Sequence, residues 1–398
     1  MAADTFYQIK GMKLKEASMI YRDFQGSKLS ALGFGAMRLP VIDGDDGKPD
    51  KEKVFRMVET AMKGGINYYD TAWGYHNGNS EIALGEALSK YPRDSFFLAD
   101  KFPGYDLSNM PKVKEIFEEQ LKKTGAEYFD FYLFHNVCEM NIEQYLDPQY
   151  GIYDYLMEQK RNGRIKHLGF SCHGEMDVLK KFLDAYGKDM EFCQLQLNYF
   201  DWKFQHGKEK VDLLSEWNIP VWVMEPLRGG KLASLEQSME KTLKEARPDE
   251  NVPAWAFRFL QSIPQVTMIL SGMSNEEQLA DNLKTFEVDK PLNENEMAAL
   301  MGVVDKMLES KSVPCTACHY CVSHCPQGLD IPYLISLYNE HVLTTSSGGM
   351  GFIAPMALMA IPDDNKPSAC LHCRSCESVC PQQIKISEIM TDFVEKIG

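Results

Sequence analysis

The stretch Asn67-Tyr68-Tyr69-Asp70-Thr71-Ala72-Trp73-Gly74-Tyr75 decides how the rest of the chain is read. Four residues with strand character deliver a carboxylate at their last position, and a phenol follows five residues later on a glycine-containing loop. Outward from it, short apolar runs alternate with helical patterns. Leu32–Gly35, Asn67–Asp70, Ser95–Lys101, Asp130–His135, Ile165–Phe170, Phe192–Leu197, Pro220–Met224 and Thr267–Ser271 read as strands. Helical patterns fall near 50–63, 80–88, 112–124, 152–161, 176–185, 208–217, 253–262 and 275–283. Apolar strands that each lead into a helix predict a parallel sheet covered on both faces. Eight such units close most economically into a (β/α)8 TIM barrel; a doubly wound open sheet is the alternative. Met19–Phe24 and Lys28–Leu32, joined through Gln25-Gly26-Ser27, predict a β-hairpin ahead of it.

The chain has 398 residues, 44% of them hydrophobic, which suits one large domain and one small one. The expected division is an extension at 1–18, a barrel over 19–310 and a second domain over 311–398, with Val313-Pro314 at the boundary. Net charge is −15 and there is no block of basic residues, which argues against nucleic acid or an anionic membrane as partner. The apolar run from Gly351 to Pro362 is shorter than the roughly 20 residues a membrane helix needs. No secretory signal pattern is visible at the N-terminus. Of eleven cysteines, eight fall in two tight C-terminal clusters, while Cys138, Cys172 and Cys193 are scattered. Such clustering points to metal ligation in a reducing, cytoplasmic setting rather than to disulfides.

On this strand map Asp70, Lys101 and His135 end three successive strands, and Tyr75 follows the first of them. In a parallel barrel all four converge on the C-terminal rim, where barrels assemble their chemistry. A phenol is a sluggish acid near pKa 10; a neighbouring ammonium stabilises its phenolate and lowers that value. A carboxylate keeps the ammonium charged and aimed, and an imidazole can hydrogen-bond a carbonyl oxygen.

Asp70-Thr-Ala-x-x-Tyr75, Lys101, Leu133-Phe134-His135 and Gly33-Phe-Gly35-Ala-Met37 together resemble the aldo/keto reductase superfamily, over roughly Met19 to Leu283. The resemblance implies reduction of aldehydes and ketones with NADP or NAD. Tyr75 would then be the proton donor, Lys101 and Asp70 would tune it, and His135 would position the carbonyl. It further implies cofactor contacts from Gly35 and Met37 at strand one, and from Ser171, Cys172 and Gln194 at the carboxamide. Relatives usually carry Asn where this chain has Cys172, and often an aromatic residue where it has Met224. Pro226-Leu227-Arg228-Gly229-Gly230-Lys231 resembles the segment that covers the pyrophosphate, where backbone N–H groups and Arg228 or Lys231 suit an anion. Ser271-Gly272-Met273 with Gln278, Asp281 and Asn282 resembles the adenosine corner. Gly272 and Gln278 stand where NADP-specific relatives tend to carry cations, so NADP and NAD both stay open.

The C-terminal cysteines repeat one motif, Cys315-x-x-Cys318-x-x-Cys321-x-x-x-Cys325-Pro326 and Cys370-x-x-Cys373-x-x-Cys376-x-x-x-Cys380-Pro381. Three cysteines at this spacing wrap one corner of a cubane, and the fourth serves the other cluster. This assigns Cys315, Cys318, Cys321 and Cys380 to one 4Fe-4S cluster and Cys370, Cys373, Cys376 and Cys325 to the other. The helical segment between the motifs predicts a mainly helical two-cluster ferredoxin domain, and the whole resembles the superfamily branch that carries one. The Met-containing run Met350–Met359 is read first as apolar cover for the clusters, with a lid over the carbonyl pocket as the alternative. Trp73, Trp202 and the loop Val137–Gly151 are candidate pocket walls, and Cys138 is read as structural.

The function this predicts is an oxidoreductase exchanging a hydride between a nicotinamide and a small carbonyl or alcohol, with the clusters as electron relay or scaffold. The alternative is an electron-transfer protein, or a reductase linked to a ferredoxin or flavodoxin partner and using a flavin, for which no motif is evident.

Overall fold

The computed structural model describes residues 19–311, 313, 315, 321–345, 351–380 and 383–397. The expected extension at 1–18, Cys318 and Met350 lie outside the described residues.

Strands β1 (Tyr21–Phe24) and β2 (Ser27–Ser30) form the hairpin. Its two turn residues, Gln25 and Gly26, both have positive φ (49° and 83°), the backbone that lets a two-residue turn follow the strands' twist. The second strand stops two residues short of the expected Leu32, which instead opens the barrel. The barrel strands are β3 (Leu32–Gly35), β4 (Tyr68–Asp70), β5 (Phe97–Phe102), β6 (Phe129–Val137), β7 (Ile165–Cys172), β8 (Cys193–Gln196), β9 (Val221–Met224) and β10 (Val266–Gly272). They close in that order, every neighbouring pair parallel, with β10 returning to β3. The open-sheet alternative is thereby excluded.

Side chains alternate between the two faces of each strand. Tyr68, Ala99, Phe131, Leu133, Trp222, Met268 and Leu270 fill the barrel interior with Phe24 of the hairpin. Phe24 lies 4.9 Å from Trp222, 5.1 Å from His167 and 5.7 Å from Phe131, ring to ring, so the hairpin plugs the end where the strands begin. Tyr69, Leu98, Tyr132, Phe134, Phe170, Cys172, Cys193 and Val223 belong to the other face, packed under the helices. With one end plugged and the interior packed, the opposite rim is left for function.

β6 runs two residues past His135, contrary to the expectation that His135 ends it. Its register with β7 shifts between Phe134 and Val137, and Asn136 takes φ 58°, which marks a bulge. The loop expected over Val137–Gly151 folds partly into the helix Ile142–Leu146. Helices Gln237–Ala246 and Ile386–Ile397, which carry no counterpart among the expected elements, are also present.

Beyond helix Glu294–Lys311, helices Ile331–Thr345, Ile353–Met359 and Ile386–Ile397 bury a second apolar core. It contains Leu334, Ile335, Ala354, Leu358, Met390 and Phe393 together with Cys321 and Cys376. No helix among the described residues is long and apolar enough to cross a membrane.

Candidate active site

Asp70, Lys101 and His135 share inward parity on β4, β5 and β6, and the loop after β4 brings Tyr75 to them. That loop is pinned by His76, whose Nε2 accepts from Leu39 N at 3.0 Å and whose Nδ1 lies 2.9 Å from the carbonyl oxygen of Asp46. The fully buried Lys101 ammonium donates to Asp70 Oδ1 at 2.5 Å and to the Thr71 carbonyl at 2.7 Å. Gln194 Nε2 donates to the other Asp70 oxygen at 3.1 Å. Lys101 Nζ is 5.1 Å from the centre of the Tyr75 ring, which stands edge-on to His135 at 6.0 Å. Tyr145, from helix Ile142–Leu146, donates its hydroxyl to the His135 carbonyl at 2.8 Å and steadies the imidazole's backbone.

The electrostatics differ from the expectation in one respect. Burial raises the Tyr75 pKa more than the Lys101 charge lowers it, so the phenol stays above its ordinary value and is protonated at neutral pH. Burial opposes the Lys101 charge too, but Asp70 and Tyr75 outweigh it and hold that pKa above normal. Burial, then the charge of Lys101, pushes His135 well below the ordinary imidazole value. At neutral pH the site therefore holds a neutral acid, a fixed cation and a neutral imidazole. His135 Nδ1 is buried with no hydrogen-bond partner among the described residues.

Asp70, Tyr75 and His135 border a cavity of about 570 Å³, and the fully buried Lys101 is held against them. The expected cofactor residues Gly35, Met37, Gln194, Met224, Pro226, Leu227, Gly230, Ser271, Gly272, Met273, Gln278, Asp281 and Asn282 line it as well. The corner expected to take adenosine is held by internal bonds. Asn282 Nδ2 donates to Ser271 Oγ at 3.1 Å, and Gln278 Oε1 accepts from Ser274 N at 2.8 Å.

Four expected contacts fall elsewhere. Ser171 points inward but is fully buried and does not border the cavity, its Oγ accepting from Asn136 N at 2.7 Å. Cys172 has the outward parity of β7 and is buried in the layer under the helices, with burial raising its pKa to about 12. Arg228 turns away because the buried Asp201 carboxylate requires a cation. Its Nε lies 3.0 Å from Asp201 Oδ1, its Nη2 lies 3.7 Å from Glu340, and it covers the Phe200 ring at 5.0 Å. Lys231 faces a separate cavity of about 350 Å³ beside Arg228, where burial and then that neighbouring charge lower its pKa to about 8.

Of the expected walls, Trp202 packs on Phe259 and Trp73 lies under Lys123, and neither borders the cavity. Tyr105, Asn136, His173, Arg38 and Phe352 do border it and were not foreseen. The signal for His173 was parity: if Cys172 points outward, the next residue returns inward. Nothing local in the sequence marks Phe352, which arrives from the second core.

In that second core, Cys325 of the first motif and Cys370, Cys373 and Cys376 of the second line one small cavity with Leu329, Ile331 and Met390. This donor set mixes the two motifs in the way two-cluster ferredoxins do. Four thiols beside an apolar hollow are the type and number of ligands that one 4Fe-4S cluster would take.

Behind β5 lies a second carboxylate pair. Gln120 Nε2 bridges Asp100 Oδ1 at 2.8 Å and Glu81 Oε1 at 3.2 Å, and Asp100 Oδ1 also accepts from Lys101 N at 2.8 Å. Burial, then the charge of Glu81, raises the Asp100 pKa well above the ordinary carboxylate range.

Residues 31–305 match the aldo/keto reductase family, and residues 314–384 match a 4Fe-4S dicluster domain. The chain is an enzyme of the aldo/keto reductase family that carries a C-terminal 4Fe-4S domain. It is 25% identical over 305 residues to the uncharacterized oxidoreductase YqkF of Bacillus subtilis, spanning 69% of this chain and 92% of that one. It is 23% identical over 304 residues to the NADH-specific methylglyoxal reductase of Escherichia coli, spanning 66% and 91%. An aldo-keto reductase from Bacillus halodurans in its holo form has the same fold, with a TM-score of 0.60 at 24% identity over 72% of this chain and 96% of that one.

Proposed function

We propose that this protein reduces a small carbonyl compound, or oxidises the matching alcohol, by hydride exchange with a nicotinamide bound in the 570 Å³ cavity. The observation that carries this reading is the meeting of Asp70, Lys101, Tyr75 and His135 at one end of that cavity, beside Gln194. When bound, the cofactor supplies the hydride. The chain manages the proton. Tyr75 gives its phenolic proton to the carbonyl oxygen as charge develops there, and the ammonium of Lys101 offsets the phenolate left behind. Asp70 and the Thr71 carbonyl hold that ammonium in place. His135, being neutral, can donate a hydrogen bond from its ring to the same oxygen. Gln194 and Met224 would meet the nicotinamide, the 226–230 loop the pyrophosphate, and Ser271 to Asn282 the adenosine. Among the described residues lining the cavity, Arg38 is the one Lys or Arg, and Glu225 lies 3.2 Å from it. That favours NADH over NADPH, whose 2′-phosphate wants charge-assisted bonds.

We propose two 4Fe-4S clusters, one on Cys370, Cys373, Cys376 and Cys325, the other on Cys315, Cys318, Cys321 and Cys380. A hydride carries two electrons and a cubane one, so a relay to the barrel would need a splitter such as a flavin. A scaffold role asks for no such partner and fits the place of Cys321 and Cys376 in the second core, with Cys315, Cys325, Cys370 and Cys380 packed against it. The proposed domains are 19–310 and 311–398, supported by family matches that stop at 305 and start at 314. The cysteine pattern supports a cytoplasmic setting.

The test is label transfer. Anaerobically prepared protein is given NADH deuterated on either face of C4 and a panel of aldehydes. Deuterium on the product carbinol carbon from one of the two forms is expected. No transfer from either form, with clusters reduced rapidly by a reduced ferredoxin, would replace this reading by the electron-transfer one; a bound flavin spectrum would replace it by the flavin-dependent one.

A further inference from the structure

The second core reaches into the cavity through one short helix. Ala354, Ala357 and Leu358 of helix Ile353–Met359 are buried in the same apolar cluster as Cys321 and Cys376. Phe352 and Met356, four residues apart, share another side of it. The Phe352 ring meets the His173 imidazole edge-on, centroids 5.5 Å apart at 85°, and lines the cavity that also holds Tyr75 and His135. Met356 Sδ lies 3.9 Å from Asn136 Nδ2, on the bulge next to His135. The run read first as cluster cover thus has a second side that borders the cavity.

Two aromatic rings therefore stand beside the reacting groups. Tyr105 is edge-on to His135 at 5.2 Å and 90°, and Phe352 is edge-on to His173. Phe352 is 37% exposed, so a large apolar face borders the cavity uncovered. Covering such a face is what favours an apolar ligand group over water. Phe352 caps a helix whose Ala354, Ala357 and Leu358 are anchored in the cysteine-containing core.

We propose that Phe352, braced by Met356 and the core behind it, determines substrate choice, and that the substrate is a carbonyl compound bearing an aromatic or similarly flat apolar group. This rests on the carbonyl-reductase reading above. The carbonyl meets Tyr75 and His135, and the flat group covers Phe352 and Tyr105.

Propanal and 3-phenylpropanal carry the same reacting end and differ by the ring, so their ratio of kcat/KM reads the wall alone. With cluster-loaded protein, Phe352→Ala should lower the 3-phenylpropanal to propanal ratio by roughly tenfold, mainly through KM, with Phe352→Leu in between. A second reading needs no turnover. Calorimetric binding of 3-phenylpropan-1-ol to the NAD-loaded protein should weaken by about the same factor in Phe352→Ala. An unchanged ratio, an equal loss for both aldehydes, or an unchanged affinity for the alcohol would overturn the proposal. If neither aldehyde reacts with the parent protein but the alcohol's binding still depends on Phe352, the wall stands and the carbonyl-reductase reading falls.

Discussion

Lys101 keeps its charge where water does not reach it, and Asp70 is the reason. An unpaired buried ammonium would shed its proton; the 2.5 Å contact with Asp70 and the nearby phenol hold it charged instead. The pair behind it works the other way. Asp100 is isolated from water beside Glu81, so its folded pKa lies above the ordinary carboxylate value. Folded protein then binds more protons than unfolded protein above that ordinary value, and stability from this site declines as pH rises from about 4 towards neutrality and beyond. Asp100→Asn keeps an acceptor for Lys101 N and Gln120 and removes the titration. The variant should lose stability less steeply with rising pH and be more stable than the parent at pH 8 by on the order of 1 kcal/mol, read by denaturant unfolding. A steeper decline would contradict the protonated Asp100. His173 has the opposite sign. Its pKa falls to about 4 through burial first and Lys210 second, so its contribution is complete above pH 6.5 and is lost as pH falls towards 4. The four reacting residues were legible because each lies within two residues of a strand's end or on the loop just after one. That Tyr75 stays above pKa 10 was not, because burial is a property of the whole rim.

Strand parity decides most of the element-scale outcome. Along β6, Phe131, Leu133 and His135 point in while Tyr132 and Phe134 point out, a period of two set by the strand's pleat, since residues on both faces are apolar. The same rule sends Ser171 inward and Cys172 outward, where Cys172 is buried and its thiol lies 3.8 Å from the Gly174 carbonyl. Alignment by resemblance placed Cys172 on the cofactor, and parity overrules it. Cys172→Val should leave the dissociation constant for NADH within about twofold, whereas Gln194→Ala should weaken it roughly tenfold by taking a polar group from the cavity wall. Fluorescence titration checks both, and a large loss in Cys172→Val would restore the original assignment. The bulge at Asn136 was not legible, since it depends on β7 offering Ser171 Oγ to the Asn136 N–H. Helix Ile353–Met359 was misread for a related cause: its apolar side explains itself, and its second side matters only once β6 and β7 stand opposite it.

At the scale of the whole molecule, the contacts that join the cluster unit to the barrel's working rim include Phe352 on His173, Met356 on Asn136 and Glu340 near Arg228. Arg228 was expected to bind the cofactor's anion and instead neutralises buried carboxylates. Arg228→Met should therefore leave Asp201 buried without a cation and cost about 3–5 kcal/mol, seen as a lower thermal midpoint. An unchanged midpoint would return Arg228 to the cofactor. Eight strands, eight thiols and the hairpin were readable from local patterns, because each is set within a dozen residues. The seating of one unit on the other was not, since it rests on pairs such as Arg228–Glu340 and Asn136–Met356 that are far apart in the chain. Iron and sulfide analysis should give about eight of each per chain, and zinc without sulfide would contradict the cluster reading. The most direct measurement compares Tyr75→Phe with the parent in anaerobic NADH-dependent aldehyde reduction, with NADH affinity determined in parallel. The account predicts a fall in kcat of about 10²–10⁴-fold with the dissociation constant for NADH nearly unchanged. Full turnover in Tyr75→Phe would contradict it.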